Sequence, residues 1–342
     1  MSFFQNLDKT DKRTLNSKVL IVDGTNTIIR SMSVSNQTND LGIPIGGIVG
    51  FLMSVGSAIK NIMPTRCIIV FDGKNGSYNR RQIFEGYKAN RDLKIGPRNP
   101  SLYTSKEQEQ ASLLYQIGRL KDYLQYLPMQ LLIIDDIEAD DTISYLNNVY
   151  FKDSKEVYIM STDRDFYQLI SEKTKIYKPG KNYEIFDINK LKREYGLIPE
   201  NFIHFKCFDG DDSDNVGGIK GIGLKTLQKH IPIIFEDKRI ELEDIFNYLN
   251  ENIETLKKYK PIPPILEQRE LLERNYKIMQ LSKTLINEKQ KNEINEILSR
   301  PIPKSNKFKL LQLSGVDGVN TIMTNIVKWM DDVFYNLDCY TN

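Results

Sequence analysis

Cysteine, histidine and tryptophan are scarce in this 342-residue chain, which has three, two and one of them. Cys67, Cys207 and Cys339 lie far apart and form no CxxC pair, and His204 and His230 are the only imidazoles. That excludes a disulfide framework and a zinc site of thiols and imidazoles, and it reads as a cytoplasmic protein. No apolar run approaches the roughly 20 residues of a membrane span, so no membrane partner is expected. The stretch Met1 to Arg13 is polar and charged, without signal-peptide character. There is no internal repeat and no low-complexity tract. The net charge, +2, carries no information about partners until the charges are placed.

Placed along the chain, they segregate. Residues 135–165 hold nine acids against three bases, and residues 73–100 hold seven bases (Lys74, Arg80, Arg81, Lys88, Arg91, Lys94, Arg98) against two acids. Four short apolar runs read as buried strands: 18–23, 66–72, 129–134 and 156–163. Helical stretches at about 43–62, 105–127 and 138–150 alternate with them, which predicts an α/β fold with a mainly parallel central sheet flanked by helices. From about 188 helices dominate, at 188–195, 199–208, 223–230, 242–257 and 265–283. A core over 1–187, a helical region over 188–299 and a C-terminal segment over 300–342 are the expected divisions. The proline-rich stretch 258–264 reads as a loop. Phe308, Leu310, Leu311, Ile322, Ile326, Trp329 and Phe334 make the last segment partly apolar, which suits packing onto the core.

Three of the strands end in acid, at Asp23, Asp72 and Asp163, and ligand sites of open α/β sheets lie beyond the carboxyl ends of strands. Further acids stand at Glu138, Asp140 and Asp141 where a helix begins, at Asp165 two residues past Asp163, and at Asp211 and Asp214. Taken singly, each suits a turn or a helix cap. Converging carboxylates repel unless cations intervene. Oxygen-only donors select a hard ion, Mg²⁺ with Mn²⁺ as a substitute. Two such ions about 4 Å apart suit in-line attack of water on a phosphodiester.

The bases complement this. Arg81, Lys88 and Arg91 are spaced seven and three apart, so a helix would carry them on one face toward phosphates. Tyr87 is a candidate for stacking on an unpaired base. Val216 to Lys229 holds four glycines and three lysines with no acid. Glycine lets the backbone approach a phosphate, and a following helix offers free N–H groups.

At these residues the sequence resembles the 5′ nuclease family: flap endonucleases, the 5′ nuclease domain of bacterial DNA polymerase I, and bacteriophage ribonuclease H. The matching pieces are Val22-Asp-Gly24, Phe71-Asp-Gly73, Tyr87-Lys-Ala-Asn-Arg91, Glu138-Ala-Asp-Asp141, Ser161-Thr-Asp-Arg-Asp165, Gly210-Asp211 with Asp214, and Gly218-Ile-Lys-Gly-Ile-Gly223. Ser77 to Arg81 looks most like the phage branch. The resemblance implies a PIN-like nuclease core and a helix–three-turn–helix duplex-binding region. It implies a first metal group of Asp23, Asp72, Glu138 and Asp140 and a second of Asp163, Asp165, Asp211 and Asp214, with Asp141 in support. Residues 74–110 become a basic arch, with Lys88 and Arg91 on the scissile phosphate and Arg80, Arg81 and Tyr87 on DNA. Gly218, Lys220, Gly221, Gly223, Lys225 and Thr226 would grip a duplex, with K⁺ a candidate ligand of the carbonyls of Val216–Ile222. The implied activity is Mg²⁺-dependent 5′-3′ exonuclease and flap endonuclease cleavage of RNA-primed or flapped DNA and RNA–DNA hybrids, as in primer removal in phage replication. The expected chain is a monomer, and a single-stranded DNA-binding protein or sliding clamp is a candidate partner. Two readings stay open beside it: a non-catalytic binder of branched DNA, and a PIN-type ribonuclease acting on single strands.

Overall fold

The computed structural model describes residues 14–91, 96–259 and 262–341. Lys94 falls outside these residues, as do the side chains of Arg91 and of residues 262–264. The four apolar runs form β1 (Lys18–Asp23), β2 (Arg66–Asp72), β3 (Gln130–Ile134) and β4 (Glu156–Met160). Two strands not read from the sequence, β5 (Thr174–Lys178) and β6 (Glu184–Phe186), complete a six-stranded sheet of order β3-β2-β1-β4-β5-β6. All neighbours are parallel except β5 and β6. The missed strands lie toward one edge, where Thr174-Lys-Ile-Tyr-Lys178 has only two apolar residues in place of a continuous apolar run.

The chain direction places the acids. With β1, β2 and β4 parallel, Asp23, Asp72 and the turn after Met160 come out at the same end of the sheet. Asp23 closes β1 and caps α1 (Gly24–Val34), its side chain accepting Asn26 N. α1 is rich in Gly, Thr, Asn and Ser, poor helix formers, so propensity gives no sign of it. Its cap and the burial of Thr27, Ile28, Ser31 and Met32 hold it. Then come α2 (Gly46–Ile62), a short α3 (Tyr78–Ile83), α4 (Lys106–Leu124) and α5 (Ala139–Tyr145). α5 passes into a π-helical turn, Leu146–Tyr150, in place of the helix expected through 150. Gly73 is fixed by close approach: a Cβ there would stand 2.0 Å from the carbonyl oxygen of Ile134.

Beyond the sheet lie α6 (Ile188–Tyr195), α7 (Pro199–Asp209), the two-residue strands β7 (Gly210–Asp211) and β8 (Val216–Gly217), α8 (Leu224–His230), α9 (Leu242–Glu251), α10 (Ile253–Leu256), α11 (Ile262–Glu267), α12 (Arg269–Met279), α13 (Glu288–Ser299), α14 (Lys307–Asp317) and α15 (Ile326–Asp338). Successive strand residues point to opposite faces, so the sheet has two apolar sides. Val19, Ile21, Ile68, Val70, Val157 and Ile159 face one cluster, which continues through Phe202, Phe208, Leu227, Leu272 and Ile294. The helices from α6 to α13 therefore share a core with the sheet. Leu20, Val22, Cys67 and Ile69 face the other cluster, with α2, α4 and α15. The C-terminal segment packs there: Met330 and Phe334 are buried, and Arg119 on α4 forks onto Asp317 at 2.9–3.2 Å. No helix among the described residues is long and apolar enough to cross a membrane.

Candidate active site

The first acidic group gathers at the carboxyl ends of β1, β2 and β3. Asp23 Oδ1 accepts Asn26 N at 3.0 Å and its Oδ2 accepts Ser161 Oγ at 2.9 Å. Asp72 caps α5, its Oδ1 accepting Ala139 N at 2.8 Å. Glu138, almost wholly buried, accepts Ser77 Oγ at 2.7 Å and Tyr87 Oη at 2.9 Å, lies 3.1 Å from Arg80 Nη1 and pairs with Lys88 Nζ. Burial alone would raise its pKa. The Lys88 and Arg80 charges outweigh burial and pull it to about 2.

The second group is built differently. Asp163 caps a 3₁₀ turn, Arg164–Leu169, by accepting Asp165 N at 2.9 Å. Asp211 accepts both Ser213 N at 2.8 Å and Ser213 Oγ at 2.6 Å. Gly210 aims it, with φ +78° and only 2.4 Å between a hypothetical Cβ and Gly218 N, so no larger residue fits. Lys206, 2% exposed, stands 2.8 Å from Asp165 Oδ1 and 2.9 Å from Asp211 Oδ2. Asp211 is held at about 2 because the lysine overcomes the effect of burial.

The two groups form one field. Burial pushes Asp23 up to about 7, and Asp72 and Asp163 add to it. Asp165 also rises to about 7, by burial first and by Asp163 second. Asp140 is raised by burial, then by Asp163, Asp23 and Glu138, and Asp163 by burial, Asp211 and Asp214. Asp140, Asp165, Asp211 and Asp214 line one pocket.

Three expectations need correction. Asp141 is 1% exposed, its Oδ2 2.5 Å from Arg80 Nη1 and its Oδ1 accepting Leu285 N at 3.1 Å, so it faces the protein interior. Arg80 is 4% exposed and held by Asp141, Glu138 and the Ile278 carbonyl, which removes it from any DNA surface. Tyr87 is 3% exposed, with its hydroxyl on Glu138 and on Asp214 at 3.0 Å; it has no open ring face for a base. The single basic helix face also does not form. α3 ends at Ile83, and Ala89–Arg91 is a separate 3₁₀ turn. Arg81 stands exposed on α3, and Lys88 is half-buried.

Segment 84–90 is instead clasped to the 211–215 loop. Lys88, in the left-handed region at φ 60°, donates its amide to Asp214 O at 2.8 Å. Asn215 Nδ2 reaches Gly86 O at 2.7 Å and Asn90 Nδ2 reaches Asp212 O at 2.6 Å. A non-glycine residue at positive φ is strained, and here the clasp holds it with Nζ against Glu138 and 3.9 Å from Asp214 Oδ2.

Residues 18–196, more than half of the chain, match the family described as 5′-3′ exonuclease, N-terminal resolvase-like domain. The chain belongs to the 5′-3′ exonuclease family. The 5′-3′ exonuclease of Buchnera aphidicola subsp. Acyrthosiphon pisum (strain APS) is 31% identical over 244 residues, 71% of this chain and 76% of that one. The thermostable DNA polymerase I of Thermus thermophilus is 32% identical over 235 residues, 68% of this chain, which spans only 25% of the polymerase. The bacteriophage T5 flap endonuclease, solved in complex with DNA and metal ions, matches with a TM-score of 0.62 at 22% identity, over 82% of this chain and 99% of that one. That last likeness is one of fold.

The donors gathered here suit a hard divalent ion. They are all oxygen, and burial first, then neighbouring carboxylates, raise Asp23, Asp140, Asp163 and Asp165 above the usual carboxylate range, which a cation would relieve. As they stand, no three close on one point among the described residues. Lys88 and Lys206 share the charge with them.

The glycine turn begins at the second acidic group, where Val216 pairs with Asp211 across β7 and β8, and runs on to α8. Gly218 is half-buried against Phe208 and Asp209 backbone, Gly221 has φ +81°, and Gly223 N-caps α8. Lys220 and Lys225 are exposed, and Thr226 Oγ1 donates to Gly221 O at 3.3 Å. Sequence reasoning missed Ser77, Ser161 and above all Lys206. A signal for Lys206 existed: it is the one cation within Phe202-Ile-His-Phe-Lys-Cys-Phe208, a run apolar enough to bury it.

Proposed function

We propose that this chain is a Mg²⁺-dependent 5′ nuclease, a 5′-3′ exonuclease and flap endonuclease hydrolysing RNA-primed or flapped DNA. One observation carries the reading: Asp23, Asp72, Glu138, Asp140, Asp163, Asp165, Asp211 and Asp214, from segments far apart in sequence, gather in one electrostatic field beyond the sheet, with Lys88 against Glu138 and Asp214. When bound, divalent ions supply Lewis acidity for water and neutralise phosphate oxygens. The chain's own residues do the rest. Ser77, Ser161 and Ser213 fix the carboxylate rotamers. Lys88 exchanges Glu138 for the scissile phosphate, and Arg91 joins it. Exposed Lys220 and Lys225, with the amides of the glycine turn, hold the duplex backbone without reading sequence. The carbonyls of Val216–Ile222 are candidate K⁺ ligands.

The T5 relative's complex with DNA and metal ions supports this substrate class. Primer removal in phage replication is the role that suits it, with a single-stranded DNA-binding protein or a clamp as candidate partner. The test is cleavage of a labelled 5′-flap duplex beside a nicked RNA–DNA hybrid, with Mg²⁺ and with EDTA. Metal-dependent short 5′ products are expected, and the ratio between the substrates gives the preferred strand. Tight binding without cleavage of either would replace this reading with a structure-specific binder. Preference for single-stranded RNA would replace it with a PIN-type ribonuclease.

A further inference from the structure

The sequence marks 265–283 as helical, within the region expected to hold duplex DNA, and gives it no task toward the carboxylates. In the structure the end of α12 floors the acidic pocket: Ile278, Met279 and Leu281 line it beside Asp140, Asp165 and Asp211. The last carbonyls of a helix have no partner within it and attract donors, cations above all. Two donors answer here, one from each acidic group. Arg80 Nε donates to Ile278 O at 2.9 Å while its Nη1 holds Glu138 and Asp141. Gln168, on the 3₁₀ turn that Asp163 opens, donates to Met279 O at 3.0 Å and accepts Leu281 N at 3.2 Å. One turn earlier, buried Asn275 donates to Cys207 O at 3.0 Å and to Gly217 O at 2.9 Å, at the entry to the glycine turn.

We propose that the C-terminal end of α12 is the common reference that sets both carboxylate groups in register, with Arg80 and Gln168 as positioning residues. The inference rests on the metal-dependent reading above. Neither residue is a donor to an ion. Each fixes a neighbour that is: Arg80 fixes Glu138, and Gln168 fixes the turn bearing Asp163 and Asp165. Loss of such an outer partner typically weakens metal binding by about 10-fold to 100-fold.

Arg80→Lys and Gln168→Ala test it, with Asp72→Asn as a ligand control. Three quantities are measured on the full chain: the heat of Mg²⁺ binding without DNA, Tm in EDTA, and the rate and position of cutting on a 5′-flap duplex. The expected result is Mg²⁺ binding weakened by about tenfold in each positioning variant, with cut positions spread over neighbouring nucleotides. Tm lowered with Mg²⁺ affinity and cut position unchanged would overturn the proposal, leaving α12 a merely structural support. Arg80→Lys guards against misfolding, since it keeps the buried charge. If the unsubstituted chain neither binds Mg²⁺ nor cuts, the nuclease reading fails, and the proposal with it.

Discussion

Lys206 and Asp165 stand 2.8 Å apart, the lysine 2% and the aspartate side chain 16% exposed. Asp211 completes the triad from the other side. Burial disfavours the ammonium, and the two carboxylates keep it charged. Arg80 does the same for Glu138 and Asp141. Each acidic group thus carries its own internal cation. An ion pair of this kind adds little net stability, yet removing one partner leaves charge uncompensated.

Lys206→Met is therefore expected to destabilise the chain in EDTA by about 3 kcal/mol, the lower end for a broken buried pair, because both aspartates keep some water contact. Mg²⁺ should recover part of that loss by replacing the missing charge. Urea unfolding with EDTA and with Mg²⁺ measures both. Equal stability of variant and parent in EDTA would show that Asp165 and Asp211 do not depend on the lysine.

The pH dependence has a definite sign. Asp23 and Asp165 are each raised from 3.8 to about 7, chiefly by burial. A carboxyl whose folded pKa exceeds its unfolded one stabilises the fold fully below the unfolded value, and that contribution is lost as pH rises through the folded value. Glu138 and Asp211, held at about 2, behave oppositely: their contribution is present above their unfolded values and is lost as pH falls through 2. The chain in EDTA should be most stable near pH 4 and lose Tm progressively from there to about pH 7. Saturating Mg²⁺ should flatten that fall, since metal binding displaces the protons. A Tm that rises from pH 6 to 8 in EDTA would contradict these assignments.

Asp72→Asn and Asp163→Asn separate catalysis from binding. Neither residue touches the exposed lysines of the glycine turn. Both variants should cut at the rate seen in EDTA and bind flapped duplex within about twofold of the parent, because phosphate contacts dominate affinity. Full turnover in both would remove these carboxylates from the reaction.

What the sequence made legible was whatever has a local signature. Strands β1 to β4 announce themselves as short apolar runs, and Asp23 and Asp72 follow because they end such runs. β5 escaped because it has only Ile176 and Tyr177 between polar residues, and α1 because a cap and burial, not propensity, form it. Arg80, Tyr87 and Asp141 were legible as charged or aromatic residues near an acidic motif. Their direction was not. Arg80 turns inward because α12 offers it the Ile278 carbonyl, a helix end 198 residues away in sequence. Lys206 needed the same knowledge of what lies across the pocket.

Lys220 offers the cleanest measure of duplex contact. It is exposed on the glycine turn and no buried contact holds it, so its loss should leave folding alone. A lysine that neutralises one phosphate releases one condensed counterion, and log K falls with log salt by about 0.9 per such contact on a B-form duplex. Lys220→Ala should therefore weaken binding at every sequence tested and lower the slope by about 0.9. The measurement is fluorescence anisotropy of a labelled duplex across a salt series, with Ca²⁺ in place of Mg²⁺ to suppress cutting. An unchanged slope with unchanged affinity would take Lys220 off the DNA surface and shift the grip toward Lys225 and the backbone amides of α8. A reduced slope at one sequence alone would instead mean that the turn reads bases, which phosphate contacts by themselves do not do.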